Sequence, residues 1–398
     1  MLTFVKGNST SDMIELTGIT WNHTRGLMPM LATAQQFEET HPGITIRWEK
    51  RSLQAFADAP LSELAQRFDL MVIDHPSIGE AATRGLLLPL DEYLASEFLA
   101  DQAQNSVGQS HVSYQYQGHQ WTLAIDAATP VAGWRPDLLA RAGATLPATW
   151  SELLELARRG LVAVPGLAID SLMAFFMLAN ALGAEAFYNG NTVIEPDKTE
   201  AAELALIMLR ELLNLSAPGS LDRNPIRTWQ LLVESDTVAY CPFAYGYSNY
   251  SRHGYAPHQL TTGKLITLDN ATPLRSTLGG AGIAISAQCR HRDTAIAYAA
   301  HVASPLTQRT LYVASGGQPG HRTAWLDEET NRTTNNFFVN TLPTLDAAWV
   351  RPRWPGFIAF QDAASVIVHN YLRSHEATER QVLTDLDAAL TKHKEPSA

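Results

Sequence analysis

Ile14-Glu15-Leu16-Thr17-Gly18-Ile19-Thr20-Trp21-Asn22-His23-Thr24-Arg25-Gly26, continued as far as Ile73, is the stretch that decides the fold. Ile14, Leu16 and Ile19 read as a strand that runs into the loop Thr20–Gly26. Leu27, Leu31, Ala34 and Phe37 then recur at spacings of four and three, the period of one helical face. His41-Pro42-Gly43 stops that helix. Ile44, Ile46 and Trp48 alternate with polar residues, as a half-buried strand does. Phe68 to Ile73 is a short run, apolar except for Asp69, of the kind covered on both faces of a sheet. It ends abruptly at Asp74-His75-Pro76. Strand, helix, strand, helix, strand in this order predicts a parallel sheet with right-handed crossovers, an α/β unit spanning Ile14–Asp91.

A second unit starts near Trp121. Trp121-Thr122-Leu123-Ala124-Ile125 is strand-like and runs into Asp126-Ala127-Ala128-Thr129-Pro130. Thr149-Trp150-Ser151-Glu152 fits a capping box, with Leu153, Leu154 and Leu156 behind it. Asp197 and Glu200 repeat that spacing ahead of a helix over Ala201–Leu213. Further on, Leu278-Gly279-Gly280-Ala281-Gly282 leads into a strand over Ile283–Ser286. Asp293 is placed to cap a helix through His301, and Pro305 opens another. Gly316-Gly317-Gln318-Pro319-Gly320 ends that one. Val382, Leu383, Leu386 and Leu390 mark a last helix packed on a lobe.

Composition narrows the function. At 398 residues the chain is long enough for two α/β lobes. A formal net charge of -11, with no basic run, argues against a nucleic-acid partner. No apolar run is long enough to span a bilayer. Cys241 and Cys289 lie in no metal-binding spacing and can either pair or stay free. Met1 to Asp12 contains no apolar core, so it does not read as a signal peptide. There is no H-x-x-x-H, H-E-x-x-H, G-x-S-x-G or Gly-rich phosphate loop, so neither catalysis nor a metal or other cofactor is expected.

Three motifs carry a resemblance. Gly85-Leu86-Leu87-Leu88-Pro89-Leu90-Asp91-Glu92-Tyr93-Leu94 resembles the "G-x-L-x-P-L-D-x-Y/L" stretch of family 1 extracellular solute-binding proteins. These are the carbohydrate-type, maltose-binding-protein-like receptors of ABC importers. Asp137-Leu138-Leu139-Ala140-Arg141-Ala142-Gly143 and Pro147-Ala148-Thr149-Trp150-Ser151-Glu152-Leu153 resemble the family's "D-L-L-x-x-A-G … P-x-T-W-x-E-L". Gly279-Gly280, Ile283-Ala284-Ile285-Ser286 and Gly317-Gln318-Pro319 come after these in the family's order.

The resemblance implies the two-lobed, type II periplasmic-binding-protein fold, with the ligand in the cleft between lobes that close like a flytrap. By analogy, lobe one is residues 13–125 and 273–322, and lobe two is residues 126–272 and 323–398. It implies a monomeric, periplasmic or cell-surface receptor without a cofactor. The receptor captures a sugar, oligosaccharide or polyol and delivers it to ABC permease subunits with their associated ATPase.

In α/β folds ligands sit beyond the carboxyl ends of sheet strands. That rule nominates Trp21, Asn22 and His23 after the first strand, Asp74 and His75 after the buried strand, and Asp126 at the first crossover. Asp170, Phe243 and Tyr245 are the candidates in lobe two. Gly280, Gln318, His321 and Arg353 border the cleft. A Trp face stacks on the C–H face of a sugar, and carboxylates and amides pair with vicinal hydroxyls. Plainer readings stand beside these: helix caps for Asp74 and Asp126, core packing for Trp21, turn geometry for Gly279-Gly280. Two further alternatives stay open. His23, Arg25, His75 and Arg351 would make a cationic pocket for a small carboxylate or other anion. The apparent lack of a leader would suit a cytoplasmic ligand sensor of the same fold.

Overall fold

The structure, a computed structural model, describes residues 13–52, 60–374 and 376–394; the stretch Met1 to Asp12 lies outside them. A five-stranded sheet builds the first lobe. Its strands are β1 (Ile14–Trp21), β2 (Ile44–Arg51), β3 (Leu70–Ile73), β4 (Leu123–Ala128) and, after a long excursion, β8 (Gly279–Ile285), in spatial order β2-β1-β3-β8-β4. β1 and β2 are parallel from Ile14 opposite Ile44 to Trp21 opposite Arg51, and β3 joins β1 in the same sense. The parallel sheet expected for Ile14–Asp91 is therefore present, and a later strand joins it in the opposite sense. β8 runs antiparallel to both β3 and β4, because it re-enters the sheet from the other lobe.

β3 is buried along its whole length. β1 is mixed at its start and buried without a break from Gly18 to Trp21, at the cleft end. This matches the apolar run read over Phe68 to Ile73 and the strand read from Ile14, Leu16 and Ile19. α1 (Thr24–Thr40) covers the sheet with Met30, Ala34 and Phe37.

The second lobe is built on a three-stranded antiparallel sheet, β6-β5-β7, from β5 (Pro130–Trp134), β6 (Tyr240–Tyr245) and β7 (Thr261–Gly263). Helices dominate its core. α2 (Trp150–Arg158) carries the full capping box, with Thr149 and Glu152 bonding each other's backbone. α3 (Ala168–Ala181) is buried almost throughout, which suits its apolar sequence. Against it pack α4 (Thr199–Leu215) and α6 (Phe357–Ser374), α7 (Glu379–His393) packs in turn on α6 and α4, and α5 (Pro225–Glu234) flanks the cleft.

Two expected caps do not form. Asp197 lies in a short 3-10 turn, Pro196–Lys198, so α4 begins after Lys198 without a side-chain cap. Asp293 sits inside the first turn of the helix Arg292–Ala303, where it complements the helix dipole instead of capping. Cys241 and Cys289 are both free and buried.

The chain passes between sheets at Thr129 and returns at Ser276–Leu278. The expected boundary after Ile125 falls inside β4, and the one before Pro273 falls just short of the return. Side chains tie the two passages together: Thr129 Oγ1 donates to Ser276 Oγ (2.5 Å) and Thr277 O (2.9 Å), and Ser276 Oγ donates to Pro130 O (2.8 Å). Gln318 supplies a third link, accepting from Ser248 N (3.0 Å) and donating to Ala127 O (2.8 Å).

Candidate functional site

Between the lobes lies a cavity of about 560 Å³, within the range of small-molecule sites. One wall comes from the ends of β1, β3 and β4 and the start of β8: Trp21, Asp74, Asp126 and Gly279–Ala281. The facing wall comes from the start of α3 (Leu167–Asp170, Met173), Asn224-Pro225 at the start of α5, Tyr245 at the end of β6, Tyr247 just beyond it, and α6. The α6 residues Gln361, Asp362, Ser365 and Val366 line it at the i, i+4 spacing of one helical face. Tyr245 reaches back to the passage between lobes, its hydroxyl 3.1 Å from Thr277 Oγ1. Gly280 has φ +106° and backs onto Asp126 O, so no side chain fits there.

Two buried arginines cross the cleft in opposite directions. Arg25, in the first turn of α1, holds Asp126 in a bidentate pair that includes Nε to Oδ2 at 2.8 Å. It also donates to Gly246 O of the other lobe (2.7 Å) and lies 4.7 Å from the Tyr247 ring centroid. Arg351, in the loop before α6, donates to Gln361 Oε1 (2.9 Å) and across the cleft to Asp74 Oδ2 (2.5 Å). Burial would raise the Asp74 carboxyl, but the Arg351 guanidinium and the neighbouring His75 hold it well below the usual carboxylate range.

Asp170 is different in kind. It is the only ionisable residue of α3 and is 8% exposed. No hydrogen bond reaches its carboxyl among the described residues, and Oδ2 is fully enclosed. Burial alone pushes its pKa up to about 8.

Of the thirteen residues nominated from sequence, Trp21, Asp74, Asp126, Asp170, Tyr245 and Gly280 line the cavity. The others do not. Asn22 is exposed. His23 caps α1, its Nδ1 accepting from Arg25 N (3.0 Å), and its ring packs 4.6 Å from that of Tyr247. His75 is buried behind Asp74, with Nδ1 3.1 Å from Oδ1. Phe243 belongs to the apolar core of the second lobe. Gln318 links the lobes through Ser248 and Ala127 instead of facing the cavity. His321 caps the turn Arg322–Trp325, with Nε2 3.2 Å from Asp101 Oδ2. Arg353 donates to Val112 O (3.1 Å).

The cationic pocket is also corrected. Burial and then Arg25 push His23 down to about 3, and burial pushes His75 down to about 4. Both are neutral in ordinary buffers, and both arginines have their own aspartate. Sequence reasoning missed Leu167–Ile169, Met173, Asn224-Pro225, Tyr247 and the α6 residues as cleft lining. For Asn224 a signal existed: Asn before Pro is a helix start, and Asn224 does cap α5. Among the described residues no three metal-ligating side chains converge, and no helix is long and apolar enough to cross a membrane.

Two α/β lobes around a cleft with walls from both define a two-lobed periplasmic binding protein. The family profile of bacterial extracellular solute-binding proteins matches residues 20–309. The chain belongs to that family, whose members bind solutes and are not enzymes. Solved structures share the fold over nearly the whole chain. Maltose-bound MalE3 of T. maritima superposes with a TM-score of 0.80 at 15% identity, covering 95% of this chain and 99% of that one. An ABC transporter solute-binding protein of Agrobacterium radiobacter K84 in complex with ribitol gives 0.80 at 17% identity, covering 96% and 99%. The ABC substrate-binding protein Lmo0181 of Listeria monocytogenes in complex with cycloalternan gives 0.79 at 14%, covering 96% and 99%.

Proposed function

We propose that this chain is the receptor of an ABC importer for a small sugar, oligosaccharide or polyol, held in the cleft by closure of the two lobes. The lobes divide at Thr129, at Ser276–Leu278 and at Gly317–Gly320. The observation that carries the reading is the cavity wall itself. Trp21, Tyr245 and Tyr247 offer apolar faces, while Asp74, Asp126, Asp170, Arg351 and Gln361 offer fixed donors and acceptors. Aromatic faces beside oriented polar groups suit polyhydroxylated ligands, which have both C–H faces and hydroxyl edges. The ligands named with MalE3, the Agrobacterium protein and Lmo0181 support the same class.

The receptor acts as a monomer at the cell surface or in the periplasm and presents the closed form to permease subunits with their ATPase. Arg25 and Arg351 set the closed geometry, because each touches both lobes. Ligand contacts made only in the closed form drive the equilibrium toward it.

A thermal-shift screen of sugars, oligosaccharides and polyols, followed by calorimetry, tests the reading. A ligand bound only to the native state at a hundred times its Kd adds about 2.7 kcal/mol of stability. The expected result is a saturable rise in Tm with one member of these classes. A null response to all of them, with binding to a small carboxylate instead, overturns it.

A further inference from the structure

The charges on the cavity wall do not balance. Arg25 and Arg351 face four carboxyl groups, Asp74, Asp126, Asp170 and Asp362, and the two guanidiniums are engaged by Asp126 and Asp74. His23 and His75 add no charge near neutrality, since burial holds both imidazoles low. Carboxyl groups therefore outnumber guanidiniums on the wall and both guanidiniums are engaged, the reverse of the cationic pocket that the sequence suggested. Asp170, which has no partner, is mostly protonated near neutrality and takes up its charge beside a cation.

An acid at the third position of a helix commonly reaches back to a backbone amide. Asp170 makes no such bond, and Leu167 ahead of it supplies no side-chain cap. The side chain is more than nine-tenths buried, lines the cavity and has no cation near enough to move its titration. On the same wall the Ser365 hydroxyl, 4% exposed, also has no hydrogen-bond partner. A buried carboxylate without a counter-charge is among the costlier features a fold can keep. A neutral hydroxyl can donate to it but brings no charge. An ammonium brings both.

We propose that the cleft selects a carbohydrate or polyol bearing a protonated amine, with Asp170 as its counter-ion and Ser365 as a neighbouring acceptor. The inference rests on the carbohydrate-receptor reading and narrows its ligand class. The ligand's amine completes the wall, taking the place on Asp170 that Arg25 and Arg351 occupy on Asp126 and Asp74.

Matched ligand sets test it by calorimetry on the full chain: hexosamines, their N-acetyl forms and the parent hexoses, with 1-amino-1-deoxyhexitols beside the hexitols. The amine should bind at least roughly tenfold more tightly than its hydroxyl and N-acetyl counterparts. Asp170→Asn, with a melting curve to confirm that it is folded, should bring amine and hydroxyl within about twofold of each other, whatever it does to the affinity of both. Equal or weaker binding of the amine overturns the inference and leaves the receptor reading standing. So does an amine preference that survives Asp170→Asn. No binding by any member of the sets also overturns the inference, and the receptor reading is then decided by the wider screen of sugars, oligosaccharides and polyols.

Discussion

Asp126 and Asp170 face the same cavity from different lobes under opposite conditions. Asp126, on β4, is 1% exposed and clamped bidentate by Arg25. Asp170, on α3, is almost as buried and has neither a hydrogen bond nor a counter-charge. The difference separates two uses of a buried carboxylate. A paired one shapes the wall and fixes an arginine that reaches the other lobe. An unpaired one stores unmet binding capacity for whatever enters.

Removing the clamp should have the largest effect. Arg25→Met leaves Asp126 buried without a partner and should cost about 3–5 kcal/mol in urea unfolding. Arg25→Met with Asp126→Leu removes both charges and should recover most of the loss. If the single variant is as stable as the parent, Asp126 is not a structural carboxylate.

Acid should act next, through the histidines behind the first-lobe wall. The folded pKa values of His23 and His75, about 3 and about 4, lie below the ordinary histidine value. Their stabilisation is complete above about pH 6.5 and is lost as pH falls toward those values, on the order of 3 kcal/mol for each. Unfolding midpoints measured from pH 7 to pH 4 should fall, and His75→Asn should flatten the slope. A midpoint constant over that range would contradict the burial of neutral imidazoles.

Asp170 should respond in the opposite sense, and by less. Its folded pKa, raised to about 8, means that the native state holds the proton more tightly than the unfolded chain. That stabilisation is complete below about pH 4 and declines as pH rises through 8, by roughly 2 kcal/mol once some water entry is allowed for. Asp170→Asn should therefore match the parent near pH 4, and above pH 8 the parent should fall below it. Equal stability of the two proteins at pH 9 would mean that Asp170 has a partner after all.

Much of this was legible in the sequence, and particular residues show where legibility ended. The patterns around Ile14–Phe37 and the run before Asp74 located β1, α1 and β3, although of the face read as Leu27, Leu31, Ala34 and Phe37 only Ala34 and Phe37 are buried and Leu31 is exposed. Trp21, Asp74 and Asp126 came from the rule about strand ends. The reversed strand β8 was not legible, since its direction depends on a return from the other lobe. Phe243 and His321 were misplaced for a related reason: both are residue types that bind ligands, but their contacts, an apolar core and Asp101, are far off in sequence. Gln361, Asp362, Ser365 and Val366 form one helical face, and nothing in α6 alone says that this face meets a cavity. The sign of the pocket was the furthest from reach. Arg25 and Arg351 read as free cations until Asp126 and Asp74, at separations of 101 and 277 residues, are placed beside them.

A receptor that works by closure must have one ligand engage both walls of the cleft at once. Hydrogen exchange with a saturating ligand from the screen tests this most directly. Protection is predicted to rise together at Trp21–Arg25 and Gly279–Ala281 on one side, and at Asp170–Met173 and Gln361–Val366 on the other. Protection confined to one lobe, or to a surface away from these four segments, would contradict it.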